Sequence, residues 1–301
     1  MSDTLWSLDS YLKIRLQLVE AALDEYLPRA ATLPGSLHDS MRYSVFAGGK
    51  RIRPVLMAAA CEAVGGRLED TLPAAAAIEL IHSYSLIHDD LPAMDDDDLR
   101  RGKPTNHKVY GEAIAILAGD GLLTEAFILL SSPQVLRSVS AVDRLEIIHQ
   151  LSRAAGSLGM VGGQVVDMES EGQQIDLPTL EYIHTHKTGA LILAAIEIGA
   201  IIGGADDKQR LALHRYGEAA GLAFQVADDI LDIVAEQSLL GKDVGSDEER
   251  GKATYPAILG LEGARQRARD LRDMAFAALE PFGPEARPLR EIATYIIDRS
   301  F

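Results

Sequence analysis

Apolar residues recur along this chain at three- and four-residue spacing rather than in alternation, the pattern of helices that bury one face. Leu8, Tyr11, Leu12, Ile14, Leu18, Ala22, Leu23 and Tyr26 predict a first helix from about Leu8 to Leu27, stopped by Pro28 and then Pro34-Gly35. A short helix from about Leu37 to Phe46 follows. Further helices are predicted over about 55–64, 72–91, 112–130, 141–158, 179–202 and 207–235. Another begins at Thr254-Tyr255-Pro256, and two more elements finish near Ile297. No strand-like alternation, fixed-period repeat or low-complexity linker interrupts the series. The pattern predicts an all-α fold in a single domain over residues 1–301.

Composition narrows the function classes. The 301 residues are 47% hydrophobic and 25% charged, an ordinary globular balance. Twenty-nine basic against 45 acidic residues give a net charge of -16, which opposes general binding to nucleic acid or anionic membranes. An anionic substrate must then be drawn in by local basic clusters or carried as a metal complex. The single cysteine, Cys61, excludes an internal disulfide and cannot make a zinc site alone, which fits a reducing cytoplasm. The N-terminal residues lack a basic segment before an apolar core, and no apolar run reaches about 18 residues, so a soluble, unprocessed protein without a membrane span is expected.

The chemistry concentrates in a few stretches. Asp89-Asp90-Leu91-Pro92-Ala93-Met94-Asp95-Asp96-Asp97-Asp98 packs six carboxylates where an apolar helix is about to end. A helix C-terminus is already partly negative, so such a run is either a solvated acidic turn or a site for divalent magnesium with a phosphate partner. Arg100-Arg101-Gly102-Lys103 follows at once, as salt-bridge partners or as a bidentate grip on phosphate. His82, Ser85 and Asp89 are spaced three and four apart and share a helix face, so His82 is either a satisfied core residue or points to the same site. Gly48-Gly49-Lys50-Arg51-Ile52-Arg53-Pro54 reads as a glycine-ended helix cap or as a tight turn projecting Lys50 and Arg53 as an anion clamp. Gly162-Gly163-Gln164, with Asp167 a turn further on, permits close backbone approach, for packing or for a pocket lining. Lys187-Thr188-Gly189 lies in apolar surroundings, where a lysine needs an anionic partner. Gly221, Gln225, Asp228 and Asp232 step by four, three and four along one stripe of the 207–235 helix; carboxylates there are costly without partners, which favours a functional role. The segment from Gly241-Lys242-Asp243 to Gly251-Lys252 is expected to be a lid.

Taken together, Gly49-Lys50-Arg51-Ile52-Arg53-Pro54, Asp89-Asp90-(four residues)-Asp95, Arg100-Arg101-Gly102, Lys187-Thr188-Gly189, Gly221-(three)-Gln225-(two)-Asp228-Asp229-Ile230-Leu231-Asp232 and Gly251-Lys252-Ala253-Thr254-Tyr255-Pro256 resemble the head-to-tail trans-prenyl diphosphate synthases, most closely the bacterial farnesyl diphosphate synthase branch. The resemblance implies a homodimeric all-helical bundle, with the two acidic motifs facing each other across a deep central cavity. It implies three magnesium ions bridging Asp89, Asp95 and Asp228 to an allylic diphosphate (dimethylallyl or geranyl), with Asp90 and Asp232 as supporting or alternative ligands. Arg100, Lys187, Thr188, Gln225, Lys242 and Lys252 match the allylic-site ligands. Lys50, Arg53, His82 and Arg101 match the metal-free isopentenyl diphosphate site. Tyr84, with its neighbour Ser85, occupies the chain-length position, where an aromatic ring and two extra residues inside the first acidic motif accompany a farnesyl product. The same scaffold also serves longer- or shorter-chain synthases making geranylgeranyl or geranyl diphosphate, terpene cyclases and catalytically silent partner subunits. A cyclase has no need of the second diphosphate clamp, and a silent subunit typically loses ligands that this chain keeps. A calcium-binding acidic helical protein would leave the lysines and arginines unexplained.

Overall fold

The computed structural model describes residues 6–238 and 253–298. Two compact units emerge: residues 1–58 with 67–148, and residues 59–66 with 149–301. The helices are α1 (Leu8–Tyr26), α2 (Gly35–Val45), α3 (Ile52–Ala63), α4 (Leu68–Asp89), α5 (Asn106–Tyr110), α6 (Glu112–Ser131), α7 (Ala141–Ala155), α8 (Met160–Ser170), α9 (Leu177–Ile183), α10 (Ala190–Gly203), α11 (Asp207–Ser238), α12 (Tyr255–Ala278) and α13 (Arg287–Asp298); α5 and α8 are not among those predicted, the 179–202 helix is divided into α9 and α10, and the predicted ends of the others shift by a few residues. The protein is all-α. Its described strands are a two-residue pair, β1 (Leu99–Arg100) and β2 (Lys103–Pro104), antiparallel with Leu99 opposite Pro104. Arg101 and Gly102 join them with φ of 54° and 74°, two left-handed residues in a row as a tight hairpin turn requires. The basic loop expected here is therefore a hairpin, too short to carry an alternating pattern.

In the first unit α4 is the central element. Ala74 to Ile78, Leu80 and Ile81 are all buried, so it is apolar on every side, and it packs against α1, α2 and α6. Each buried Ile or Leu contributes roughly 1.5–3 kcal/mol relative to exposure. The second unit is built on α11, which packs along α10, α12 and α13. Buried Tyr216 of α11 donates its hydroxyl to Leu289 O of α13 at 2.8 Å. α12 breaks at Gly260, whose φ of 73° and ψ of 159° are not helical.

Two stretches, 112–131 and 177–203, are long and apolar enough by composition to cross a membrane, with mean hydropathies of 1.9 and 1.4. The expectation of no such run counted uninterrupted apolar residues, whereas an apolar stretch interrupted by one or two charges still qualifies, such as that around Asp120 and Glu125 in the first or around Lys187 and Glu197 in the second. The second owes its apolarity to its place in the core, where Leu191, Ile192, Ile196 and Ile198 are buried.

Candidate active site

The first acidic motif starts where α4 stops. Past Asp89 the chain folds back, so that Asp95 N–H donates to Asp89 O at 2.9 Å, and the two residues lie side by side across a tight turn. Asp89 and Asp95 are part-exposed, while Asp90 is buried. Burial raises the Asp90 carboxyl above its ordinary range, and Arg100 works against that shift by donating Nε–H to Asp90 at 2.6 Å. Asp90 is thus committed to an ion pair that anchors the hairpin. The Thr105 hydroxyl donates to Asp97 O at 2.7 Å and closes the loop.

A cationic cluster forms in the same unit. Gly48 and Gly49 have φ of 101° and 139°, and a Cβ on Gly49 would lie 2.6 Å from a guanidinium nitrogen of Arg101. The glycine pair therefore wraps that guanidinium, which donates to Gly48 O. His82 is held well below its usual value, first by burial and then by Arg53, Arg101, Arg51 and Arg100. Of these four arginines, Arg100 is paired with Asp90 and Arg51 with Glu20 and Glu79, which leaves Arg53 and Arg101 as the guanidinium groups beside His82 that these ion pairs do not hold. Lys50, exposed beside this cluster, makes no salt bridge with a described residue. The Ser85 hydroxyl donates to His82 O at 2.8 Å, back onto its own helix. Tyr84 is 7% exposed, its ring edge-on to His88 at 5.7 Å between centroids.

In the second unit, Lys187 and Thr188 lie on a π-helical turn, His184–Gly189, between α9 and α10. A continuous helix from Thr179 to Ile202 was expected there. π-turns widen the helix and collect at functional sites, and a hydropathy pattern does not reveal them. Gly163 of α8 fits against this turn so closely that a Cβ would sit 2.2 Å from Lys187 N; at Gly221 of α11 it would sit 3.3 Å from Gly189 Cα. Lys187 Nζ reaches Asp167 at 2.7 Å, supplying the anionic partner that the sequence called for. Asp167, Lys187, Thr188, Gln225, Asp229 and Thr254 line a cavity of about 160 Å³. Asp228 and Asp232 lie a turn apart on α11. Asp229 is buried instead, accepting from Tyr255 N–H at 2.9 Å and meeting His184 Nε2 at 3.1 Å. It ties the start of α12 to the π-turn. Lys242, Lys252 and the expected lid lie outside the described residues.

Among the described residues no three His, Cys, Asp or Glu side chains converge to hold a metal by themselves. The donor set nonetheless fits magnesium, which is usually bound through one or two carboxylates and completed by water and substrate phosphate. Glu79 and His184 escaped the sequence reading, and their partners Arg51 and Asp229 entered it only as members of their motifs, with no role of their own. A lone glutamate in the apolar 72–91 stretch was the available signal for Glu79.

The sequence pattern of the polyprenyl synthetase family matches residues 34–278. The chain is 53% identical over 261 residues to a farnesyl diphosphate synthase of Geobacillus stearothermophilus, covering 87% of each. It is 46% identical over 299 residues to a geranylgeranyl diphosphate synthase of Cyanophora paradoxa, covering 99% of this chain and 98% of that one. The crystal structure of an FPP/GFPP synthase from Zymomonas mobilis superposes with a TM-score of 0.86 at 43% identity, covering 96% of this chain and 98% of that one. An all-α fold, six motifs in order and relatives alike over nearly their whole lengths make this chain a member of the polyprenyl synthetase family of prenyltransferases.

Proposed function

We propose that the protein condenses isopentenyl diphosphate head-to-tail with dimethylallyl and then geranyl diphosphate, giving farnesyl diphosphate. The observation that carries this reading is the Gly48-Gly49 turn wrapped around the Arg101 guanidinium, with buried Arg53 and exposed Lys50 on the same segment, a cationic cluster in addition to the acidic motifs. A cyclase, which takes one diphosphate, has no use for it. In this reading Lys50, Arg53, His82 and Arg101 hold isopentenyl diphosphate. Arg100, Lys187, Thr188 and Gln225, with Lys242 and Lys252, hold the allylic diphosphate.

Asp89, Asp95 and Asp228 would hold magnesium, three ions being expected with the diphosphate bound, and Asp232 would support them, while Asp90 pairs with Arg100. Bound magnesium supplies the positive charge that stabilises the diphosphate as it departs. The Arg100 guanidinium and Lys187 ammonium bind the oxygens that gain charge when the allylic C1–O bond breaks. The reaction requires water to be kept from the carbocation. The isopentenyl double bond then forms the new C–C bond to C1. That leaves a cation at the isopentenyl C3, and a proton from the isopentenyl C2 passes to the departed diphosphate as the new C2=C3 double bond forms, so no side chain is required as base. The relative that makes geranylgeranyl diphosphate keeps a C20 product as the second reading; the buried Tyr84 ring favours C15. The single cysteine, buried Cys61, fits a cytoplasmic setting, and we propose a homodimer.

Incubation with isopentenyl and dimethylallyl diphosphates plus magnesium, followed by mass measurement, tests the reading. A C15 diphosphate is expected. A cyclised hydrocarbon, or no consumption of isopentenyl diphosphate, overturns it. Chelator, Asp89→Ala or Asp228→Ala is expected to lower turnover by about two orders of magnitude or more with helical circular dichroism unchanged; near-normal rates would refute the metal assignment.

A further inference from the structure

Arg51 stands between two residues of the proposed isopentenyl clamp, yet its own side chain points the other way. The residue is 3% exposed. Its guanidinium donates to Glu20 on α1 at 2.8 Å, to Glu79 on α4 at 2.8 Å, and to Val45 O at the end of α2. Three helices thus converge on one side chain. Its backbone has φ of 47°, a left-handed conformation that a non-glycine residue keeps only when its surroundings fix it. Its carbonyl accepts from Val55 N–H at 3.1 Å, so the same residue starts α3 and sets the direction in which Arg53 leaves. Glu79 lies one turn before His82 on α4 and is itself buried, with its second oxygen lacking a hydrogen-bond partner among the described residues.

We propose that Arg51 and Glu79 are positioning residues: their ion pair is the mounting that holds Lys50, Arg53 and Arg101 in register to receive isopentenyl diphosphate. The inference rests on the assignment of those three residues to that substrate. Neither Arg51 nor Glu79 touches it. A fixed turn matters because a cationic clamp gives affinity only when its donors already stand where the phosphate oxygens arrive. Gly49 transmits the mounting to Arg101, since the turn that Arg51 holds is the one that wraps the Arg101 guanidinium.

Charge and position predict opposite outcomes for Glu79→Gln. If Glu79 acted only through its charge, removing an anion near a diphosphate site would lower KM for isopentenyl diphosphate. As a mounting, its loss frees Arg51 and raises that KM. Steady-state kinetics of the full-length enzyme with magnesium, varying each substrate in turn, test this. Glu79→Gln and Arg51→Lys are each expected to raise KM for isopentenyl diphosphate roughly tenfold, with KM for the allylic substrate and kcat changed less than about twofold. Glu20→Gln, at the half-exposed end of the network, keeps the proposal testable if the buried variants fail to fold, and is expected to raise the same KM about threefold. Lys50→Ala separates the layers: if it leaves KM for isopentenyl diphosphate unchanged, the substrate assignment fails. If Lys50→Ala raises that KM while Glu79→Gln and Arg51→Lys leave it unchanged or lower it, the mounting is refuted. Equal changes in both KM values for the pair refute it too.

Discussion

Burial keeps His82 uncharged in the folded protein, reinforced by Arg53, Arg101, Arg51 and Arg100, while the unfolded chain protonates it near its ordinary value of 6.5. Below that pH the unfolded state binds a proton that the folded state refuses. Stability is therefore full above pH 6.5 and falls as the pH drops from there toward the lowered folded value. His82→Gln keeps a polar side chain without the titration, so its melting temperature is expected to change less than wild type between pH 6.5 and 5; an unchanged slope would show that other groups set acid stability. Tyr84 makes the second prediction at this scale. Five residues before Asp89, it sits roughly 7.5 Å further down α4. Its ring is held by His88, whose Nε2 lies 3.1 Å from Ile116 O on α6, where Gly119 leaves room for the imidazole. A ring fixed in that way suits the floor of a chain-length pocket. Tyr84→Ala is expected to shift the product toward C20 by mass spectrometry, and an unchanged C15 product would assign the length to another residue.

At the scale of the element, the π-turn of residues 184–189 decides where Lys187 and Thr188 stand, and two glycines from neighbouring helices decide whether it fits. A methyl group at Gly163 would meet the Lys187 backbone at 2.2 Å, so α8 or the turn must move. Gly163→Ala is expected to cost on the order of 1–3 kcal/mol of stability, the usual range for overpacking, and to lower turnover more than it changes KM for isopentenyl diphosphate. Wild-type melting and kinetics in that variant would refute the tight contact. Sequence periodicity revealed the long helices because each buries one face or all of it; α4 was plain for that reason, whereas α5, α8 and the break between α9 and α10 were not. It also revealed the glycine pairs and the need of Lys187 for an anion, which the fold meets with Asp167. What it missed depends on partners distant in sequence. The stripe of Gly221, Gln225, Asp228 and Asp232 set Asp229 apart from Asp228, but nothing local shows that Asp229 is buried against His184 and the Tyr255 N–H. Likewise Arg51 looks like one cation among several until α1 and α4 bring Glu20 and Glu79 to it.

At the scale of the whole molecule, α6 and α7 leave an exposed apolar face among the described residues of the first unit. Leu117 and Ile128 of α6 are 53% and 54% exposed, and Leu145 of α7 is 68% exposed. Beside them Leu123, Phe127, Ile128 and Ile148 line an open apolar groove of about 500 Å³. Patches of this kind mark interaction surfaces, and a second copy of the same face offers matching apolar contacts about a two-fold axis. Charge acts against that pairing, because each copy carries a net -16. Repulsion between exposed charges is screened as the Debye length shortens from roughly 30 Å at 0.01 M salt to roughly 10 Å at 0.1 M, whereas apolar burial is not weakened by that change. The proposed homodimer is therefore expected to tighten as salt rises over this range, the reverse of an association driven by opposite charges. Sedimentation at micromolar concentration checks this, with a mass of twice 32.5 kDa expected for the wild type. Leu117→Glu places a carboxylate in the face and is expected to give the monomer while keeping the helical circular dichroism. A wild type that stays monomeric at both salt concentrations, or a Leu117→Glu variant that stays dimeric, would remove α6 from the interface.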